Sequence, residues 1–415
     1  MHKEKQVGTR TLKKSTQSPI EIQKSQCTHQ QNVGLILAYR INKNSSQHHL
    51  LMLRRSSVFL AFLATAFAAS AQSPITLQDL NGREVTLASP VQKTVTLPMP
   101  AGAAFATVAK GTQSLAGMHE ASHRNLTTML LSEIFPGMKQ VRYDITRGSG
   151  FVPNVETLLE LQPDLVWQWG QMGQELIAPI EAAGLKVAAL RYGTEAQTQR
   201  WIELFAQSIG QPERATQINA WRNMVRTKVK AQVDQIPSAQ RQKVMYLSRY
   251  KTGMAAAGQS GNFHDDVQIA GGSNVNTSKA SAPTINIEQI LMWNPDVIVL
   301  SNFEHDLTPE KILRDPMLSS VAAVRNQRVY KAPAGGYYWD APSQDSPLYW
   351  MWLAKVMYPH QVQLDLRNEV RSAYQTLYGF DITEAQIDQA LHMPMNRASR
   401  DYMASFASAT TTATR

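Results

Sequence analysis

At 415 residues the chain is long enough for two ordinary domains, and its formal charge of +9 would by itself point to an acidic partner. The distribution removes that pointer: residues 1–71 hold ten Lys/Arg and two Glu, which leaves 31 basic against 30 acidic side chains in the remainder. Without clustered positive charge there is no nucleic-acid footprint, and the single cysteine, Cys27, leaves the rest of the chain without disulfides, thiolate metal sites or a cysteine nucleophile.

Residues 52–71 read as a secretory signal peptide. Arg54-Arg55 is a positive start, Val58 to Phe67 an apolar run too short to span a bilayer, and Ala69-Ser70-Ala71 a small-x-small cleavage site. Met52 directly precedes it, so Met1–Leu51 reads as an upstream extension from a start codon assigned too early; the alternative is a cytoplasmic extension on a signal anchor. The twin arginine leaves Sec and twin-arginine export both open. No cysteine follows the apolar run to carry a lipid, so the expected product is freely soluble in the periplasm.

The exported part opens with two short alternating segments, 75–79 and 84–87, around Asn81-Gly82, the strongest short hairpin signal. Residues 94–97 read as a buried strand and 101–109 as an alanine-rich helix, while 119–150 reads as loop with Pro136-Gly137 and Gly148-Ser149-Gly150 as breakers. Helix 155–161, a Pro-Asp turn, strand 165–169, helix 175–183, strand 186–190 and helix 195–209 follow. From Pro212 to Ile236, apolar residues at Ile218, Trp221, Val225, Val229, Val233 and Ile236 mark one face of a long helix. Beyond it the order repeats: strand 243–247, helix 262–270, helix 287–293, strand 296–300, helix 316–324 and strand 328–331. Three further helices begin at Ser346, Leu364 and Thr383, the last with a capping box.

The repeat is visible in the letters. Glu156, Leu159, Pro163 and Asp164 recur without a gap as Glu288, Leu291, Pro295 and Asp296. Alternating strands and helices imply mainly parallel sheets covered on both faces. The expected architecture is α/β: two Rossmann-like lobes, 73–209 and 238–345, joined by one long helix within 210–237, with the ligand cleft between the lobes. C-terminal helices at 346–395 and a disordered tail at 396–415 complete it.

The Asn-Gly hairpin, the Glu-x-x-Leu…Pro-Asp repeat and the long middle helix together resemble a class III periplasmic substrate-binding protein. The likeness continues through Gly271-Gly272-Ser273-Asn274-Val275, Arg325-Asn326-Gln327-Arg328-Val329-Tyr330 and the run from Pro347 to Pro359. Such proteins serve ABC importers of ferric siderophores, haem and cobalamin, with molybdate-binding relatives. The resemblance implies a monomer that delivers a small metal complex to an inner-membrane permease and its ATPase, with no cofactor of its own, no nucleic-acid partner and no catalysis. It also implies an exposed acidic residue on each lobe for docking. Glu175 matches the first position; the second holds Ser273, leaving Asp265 or Asp266 as substitutes.

Ligands of open parallel sheets lie beyond the carboxyl ends of the strands. That rule selects 98–101, 143–150, 167–170, 249–250, 261–264, 302–305 and 337–340. Within them the candidates are Arg147 and Arg249 for an anion, Trp169 and the Tyr337-Tyr338-Trp339 triplet for stacking, and Tyr250 and His264 beside them. Each has a plainer reading: an exposed loop arginine for Arg147, a salt bridge across the lobe for Arg249, core packing for the tryptophan, a lid on the C-terminal helices for the triplet, and a capping or surface role for the histidine. His119 and His123 carry the spacing of a zinc pair, but no further ligands accompany them, and no metal site is expected. No Gly-x-Ser-x-Gly elbow or P-loop supports an enzyme, although metal chelatases use a related two-lobed fold. The aromatic loops favour an Fe(III) siderophore chelate as ligand, with haem, cobalamin or a molybdate/tungstate oxyanion as alternatives.

Overall fold

The computed structural model describes residues 73–408 apart from Ser149 and Thr252; the leader assignments lie outside the described residues. The first sheet has the order β4-β3-β5-β6, from β3 (Thr94–Thr96), β4 (Leu115–Met118), β5 (Leu165–Trp169) and β6 (Val187–Leu190), and every pairing is parallel. The hairpin of β1 (Ile75–Gln78) and β2 (Glu84–Leu87) turns at Gly82, whose φ of 78° favours glycine. It is tied to β6 by Leu80 N–H donating to Ala189 O and by Ala189 N–H donating to Asp79. The second sheet runs β11-β10-β7-β8, from β7 (Lys243–Arg249), β8 (Ala255–Ala256), β10 (Val297–Leu300) and β11 (Val329–Lys331), with β9 (Ser273–Asn274) beside β7. Only β7–β8 is antiparallel in it.

The repeat has a structural meaning. Each Pro-Asp turn follows a helix, α2 (Val155–Leu161) or its counterpart at Ile287–Trp293, that ends on a left-handed residue, Gln162 or Asn294. The next aspartate then clamps the neighbouring strand. Asp164 accepts from the Gln92 and Lys93 amides and Asp296 from that of Lys243, at 2.7–2.8 Å. Identical turns therefore start β5 and β10 in identical registers.

Between the sheets runs the predicted long helix, Pro212–Val233, whose 22 residues span about 33 Å. Proline occupies its first turn, and Ile218, Val225 and Val229 are fully buried. It packs against α3 (Glu195–Ser208) on one side and the helix Ser346–Met357 on the other. We label these α1 (Ala101–Val108), α2, α3, α4 (Pro212–Val233), α5 (Asn262–Ile269), α6 (Ile287–Trp293), α7 (Ser346–Met357) and α8 (Leu366–Tyr378). Bending α4 would break consecutive backbone hydrogen bonds, so it favours a stiff connection.

Three expectations are corrected. The stretch 119–150 is not mainly loop: it holds helices Glu120–Leu126 and Leu131–Ile134 and a 3-10 turn Pro136–Gln140, and it follows the unforeseen edge strand β4. The helix expected at 316–324 is broken into a 3-10 turn, Pro316–Leu318, and a short helix, Ala322–Arg325. The tail expected to be disordered from 396 is packed as far as 408. Asn396 bridges the β11 backbone at Lys331, and Tyr402 and Phe406 are buried. Alanine, serine and threonine letters hid three anchors that a composition-based reading averages away.

Candidate functional site

A cavity of about 420 Å³ opens where the carboxyl ends of the two sheets face each other. The first lobe contributes Met99 and Pro100 after β3, Trp169 and Met172 around the end of β5, and Tyr192 after β6. The second contributes Tyr246, Ser248 and Arg249 on β7, Gly261, Asn262 and Phe263 at the start of α5, Phe303 after β10, and Asp340. Most of this wall is carbon, with few charges.

Trp169 is the centre of the first-lobe wall. Its ring is 3% exposed, in edge-on contact with Phe151 and Tyr192 and tilted against Trp201 at centroid separations of 5.1–6.1 Å. Its indole Nε1, although buried, has no hydrogen-bond partner. Burying an unpaired donor costs about 1–3 kcal/mol; the Trp167 and Trp339 indoles are likewise unpaired among the described residues, and of the three tryptophans Trp169 lines the cavity. Trp167, two residues earlier, is core: fully buried, edge-on to Phe205 at 4.8 Å.

Across the cavity, Arg249 is exposed at the end of β7, and its guanidinium has no ion-pair or hydrogen-bond partner among the described residues. Beside it α5 begins at Gly261 with no side chain capping its first amides, and on the opposite lobe α1 likewise begins at Pro100 without a side-chain cap. Uncapped helix N-termini carry partial positive charge and donate to anions. Asn262 adds a buried Oδ1 without a partner.

The other sequence candidates sit elsewhere. Arg147 is exposed and 3.8 Å from Glu156, in a surface ion pair. Tyr250 turns its hydroxyl to Asp315 and its amide to Glu304, behind the cleft wall. His264 points along α5 to Gln268 at 2.8 Å. The Tyr337-Tyr338-Trp339 triplet is interior: Tyr337 and Trp339 are fully buried, and Tyr338 lies edge-on to Phe303 with its hydroxyl toward His305. The glycines before it allow this, because a Cβ at Gly335 or Gly336 would collide with the Tyr374 or Tyr378 hydroxyl of α8. His119 caps its helix by accepting from the Ala121 amide, and His123 stacks on Tyr143 at 4.4 Å. Tyr192, Tyr246 and the Ser281-Ala282 wall were missed. Tyr192 follows the end of β6 and obeys the same strand-end rule; nothing in the letters of the 281–282 loop marks it.

Of the acidic candidates, Glu175 is exposed on a 3-10 turn. Asp265 instead accepts from the Glu195 amide at 2.8 Å and so caps α3. Asp266 is withdrawn as a docking residue, because it is buried and accepts from Trp350 Nε1 at 2.6 Å. Burial, with Asp265 and Glu195 nearby, pushes its pKa well above the ordinary 3.8. The native state thus holds a proton that the unfolded chain has lost, so this group's contribution to stability falls as pH rises from about 4 toward the raised value. Asp266→Asn keeps the acceptor for Trp350 without the charge. We expect it to be more stable than wild type at neutral pH by ~1 kcal/mol or more, with a flatter profile in urea unfolding between acid and neutral pH.

This architecture, two parallel-sheet lobes with a cleft at their carboxyl ends and one rod between them, is that of the two-lobed solute-binding proteins. The chain belongs to the periplasmic binding protein family, whose model matches residues 111–335, and it is a substrate-binding protein of an ABC transporter. The molybdate-binding protein MolA of Haemophilus influenzae is 25% identical over 248 residues, covering 54% of this chain and 70% of its own. Among solved structures, a periplasmic solute binding protein from Veillonella parvula superposes with a TM-score of 0.69 at 25% identity, over 78% of this chain and 99% of that one. MolA bound to molybdate gives 0.65 at 20%, over 74% and 99%. Helicobacter pylori CeuE in a complex with nickel and histidine gives 0.65 at 19%, over 77% and 99%.

Proposed function

We propose that this protein captures an oxyanion of the molybdate/tungstate type and hands it to its permease. The observation that carries this reading is that donors without a partner among the described residues line one cavity: Trp169 Nε1, the Arg249 guanidinium and two uncapped helix N-termini, one from each lobe. An anion bound there satisfies both lobes at once and so favours closure. The relationship to MolA agrees with it.

A compact ferric siderophore is the second reading. Its support is the carbon-rich wall of Met99, Phe151, Met172, Phe263 and Phe303. It loses the support of the aromatic triplet, which packs inside the protein. Titration of tryptophan fluorescence with molybdate, tungstate, sulfate and a set of ferric siderophores tests the choice. Saturable binding of molybdate or tungstate carries the first reading; saturation by a siderophore alone replaces it with the second.

Glu175 is the docking residue we propose for the first lobe. Glu175→Lys is expected to leave ligand affinity within twofold of wild type and to lower uptake at least tenfold in cells that depend on this protein. Unchanged uptake removes the assignment.

A further inference from the structure

The donors described above occupy only part of the cleft; another part of its wall is a buried carboxyl group. Asp340 lines the cavity and is 6% exposed. Its Oδ2 accepts from the Tyr246 hydroxyl at 2.7 Å and the Asn302 amide at 3.0 Å, whereas among the described residues Oδ1 accepts only from Asn302 Nδ2 at 2.9 Å. A carboxylate offers about four lone-pair positions, so the unused one is on Oδ1.

Among the described residues no cation hydrogen-bonds to this group. The Lys331 ammonium on β11 acts on it through space, while its Nζ donates to the carbonyls of Ser301, Glu304 and Leu307 rather than to the carboxylate. From the other elements around it, Tyr246 of β7, Tyr337 and Tyr338 of its own loop and Tyr349 of α7 face Asp340, all with phenols pushed upward by burial and therefore neutral. Arg249 shares the cavity wall. An oxyanion in this cleft brings negative oxygens and no hydrogen. Facing a carboxylate in a largely apolar space, it would meet like charge and two acceptors without a donor.

We propose that Asp340 is a specificity-determining residue, and that the cleft takes up its oxyanion together with one proton, held between Asp340 Oδ1 and a ligand oxygen. The inference rests on the oxyanion reading. In the balanced step, free protein, one oxyanion and one solvent proton give the complex; no bond other than O–H is made or broken. Burial already holds the Asp340 carboxyl above the ordinary range, so the added proton is easily accommodated. The arrangement prefers a basic oxyanion, which shares the proton well, over a feebly basic one such as sulfate.

Calorimetry of the full protein with molybdate, in pairs of buffers differing in ionisation enthalpy, counts the protons. The window of roughly pH 6 to 7.5 stays below the value of about 8 to which burial lowers Lys331. Wild type is expected to take up close to one proton per molybdate, with affinity falling up to tenfold per pH unit as pH rises. Asp340→Asn, checked for folding by its melting curve, is expected to bind with no uptake, a flat pH profile and a narrower preference over sulfate. Infrared difference spectra give a second readout: a protonated-carboxyl band that appears with molybdate in wild type and is missing in the variant. Binding without proton uptake, or equal uptake in Asp340→Asn, overturns this inference and leaves the oxyanion reading standing. Absence of any molybdate binding overturns both.

Discussion

Replacing Arg222 with methionine is expected to lower the unfolding free energy by about 3–5 kcal/mol, because it leaves a buried carboxylate without its partner. Arg222 lies at mid-length on α4 and is fully buried; it pairs with Glu195 at 2.5 and 2.7 Å. Its remaining donors go to Ser343 O, Gln344 O and Ser346 Oγ at 2.8–3.3 Å, and its guanidinium lies 5.9 Å from the Trp350 ring centroid. One side chain thus joins the first lobe through α3, the rod, and the loop that leads into α7. Glu195 stands in the first turn of α3, where the helix dipole favours a carboxylate, and its amide is held by Asp265 from the second lobe. Substituting both partners, Arg222→Met with Glu195→Met, is expected to cost less than the sum of the single changes, since neither charge is then stranded. Urea unfolding of the four proteins measures the cycle. A single variant within about 0.5 kcal/mol of wild type, the range of ordinary surface changes, would show that the node does not hold the lobes. Because Asp340 to Pro342 precede the anchored carbonyls, Arg222→Met should also weaken ligand binding by loosening that wall.

This node also shows why the architecture was readable and its wiring was not. The apolar stripe of α4 and the duplicated Pro-Asp turn are local patterns, and each letter in them acts on a neighbour a few residues away or on the next strand. Arg222 sits on the same helix as Trp221 and Val225, and its letter alone reads as a solvated face. Its partner is 27 residues upstream, and the carbonyls it binds are more than 120 residues downstream. The aromatic triplet failed for the same reason. Three large rings after two glycines do need cover, but the cover is α8, whose Tyr374 and Tyr378 come from a different part of the chain. Asp265 and Asp266 look interchangeable as letters; one step along α5 turns the first to the Glu195 amide and the second into the core. The strand-end rule leads to the cavity wall where side chains stay at the sheet edge, as at Trp169 and Arg249, and away from it at Tyr250, whose hydroxyl and amide turn to Asp315 and Glu304.

Trp169→Phe is expected to bind molybdate about ten- to a hundredfold more weakly while folding at least as stably as wild type. Hydrogen bonds to charged groups contribute roughly 1.5–3 kcal/mol, and each 1.4 kcal/mol is a factor of ten in affinity. Phenylalanine keeps an aromatic ring against Phe151, Tyr192 and Trp201 but removes the stranded N–H, so the empty protein loses an unsatisfied donor and the complex loses a bond. A residue that only filled the core would show the reverse: lower stability and unchanged affinity. Arg249→Ala should weaken binding by a similar factor, but by a different route. Its guanidinium is exposed, so its share is screened and should shrink as salt is raised, whereas that of the buried indole should not. Calorimetric titrations of both variants at low and high salt, beside their melting curves, separate the two contributions. If Trp169→Phe destabilises the fold and leaves molybdate affinity intact, the donor does not meet the ligand, and Trp169 only fills the core behind this wall.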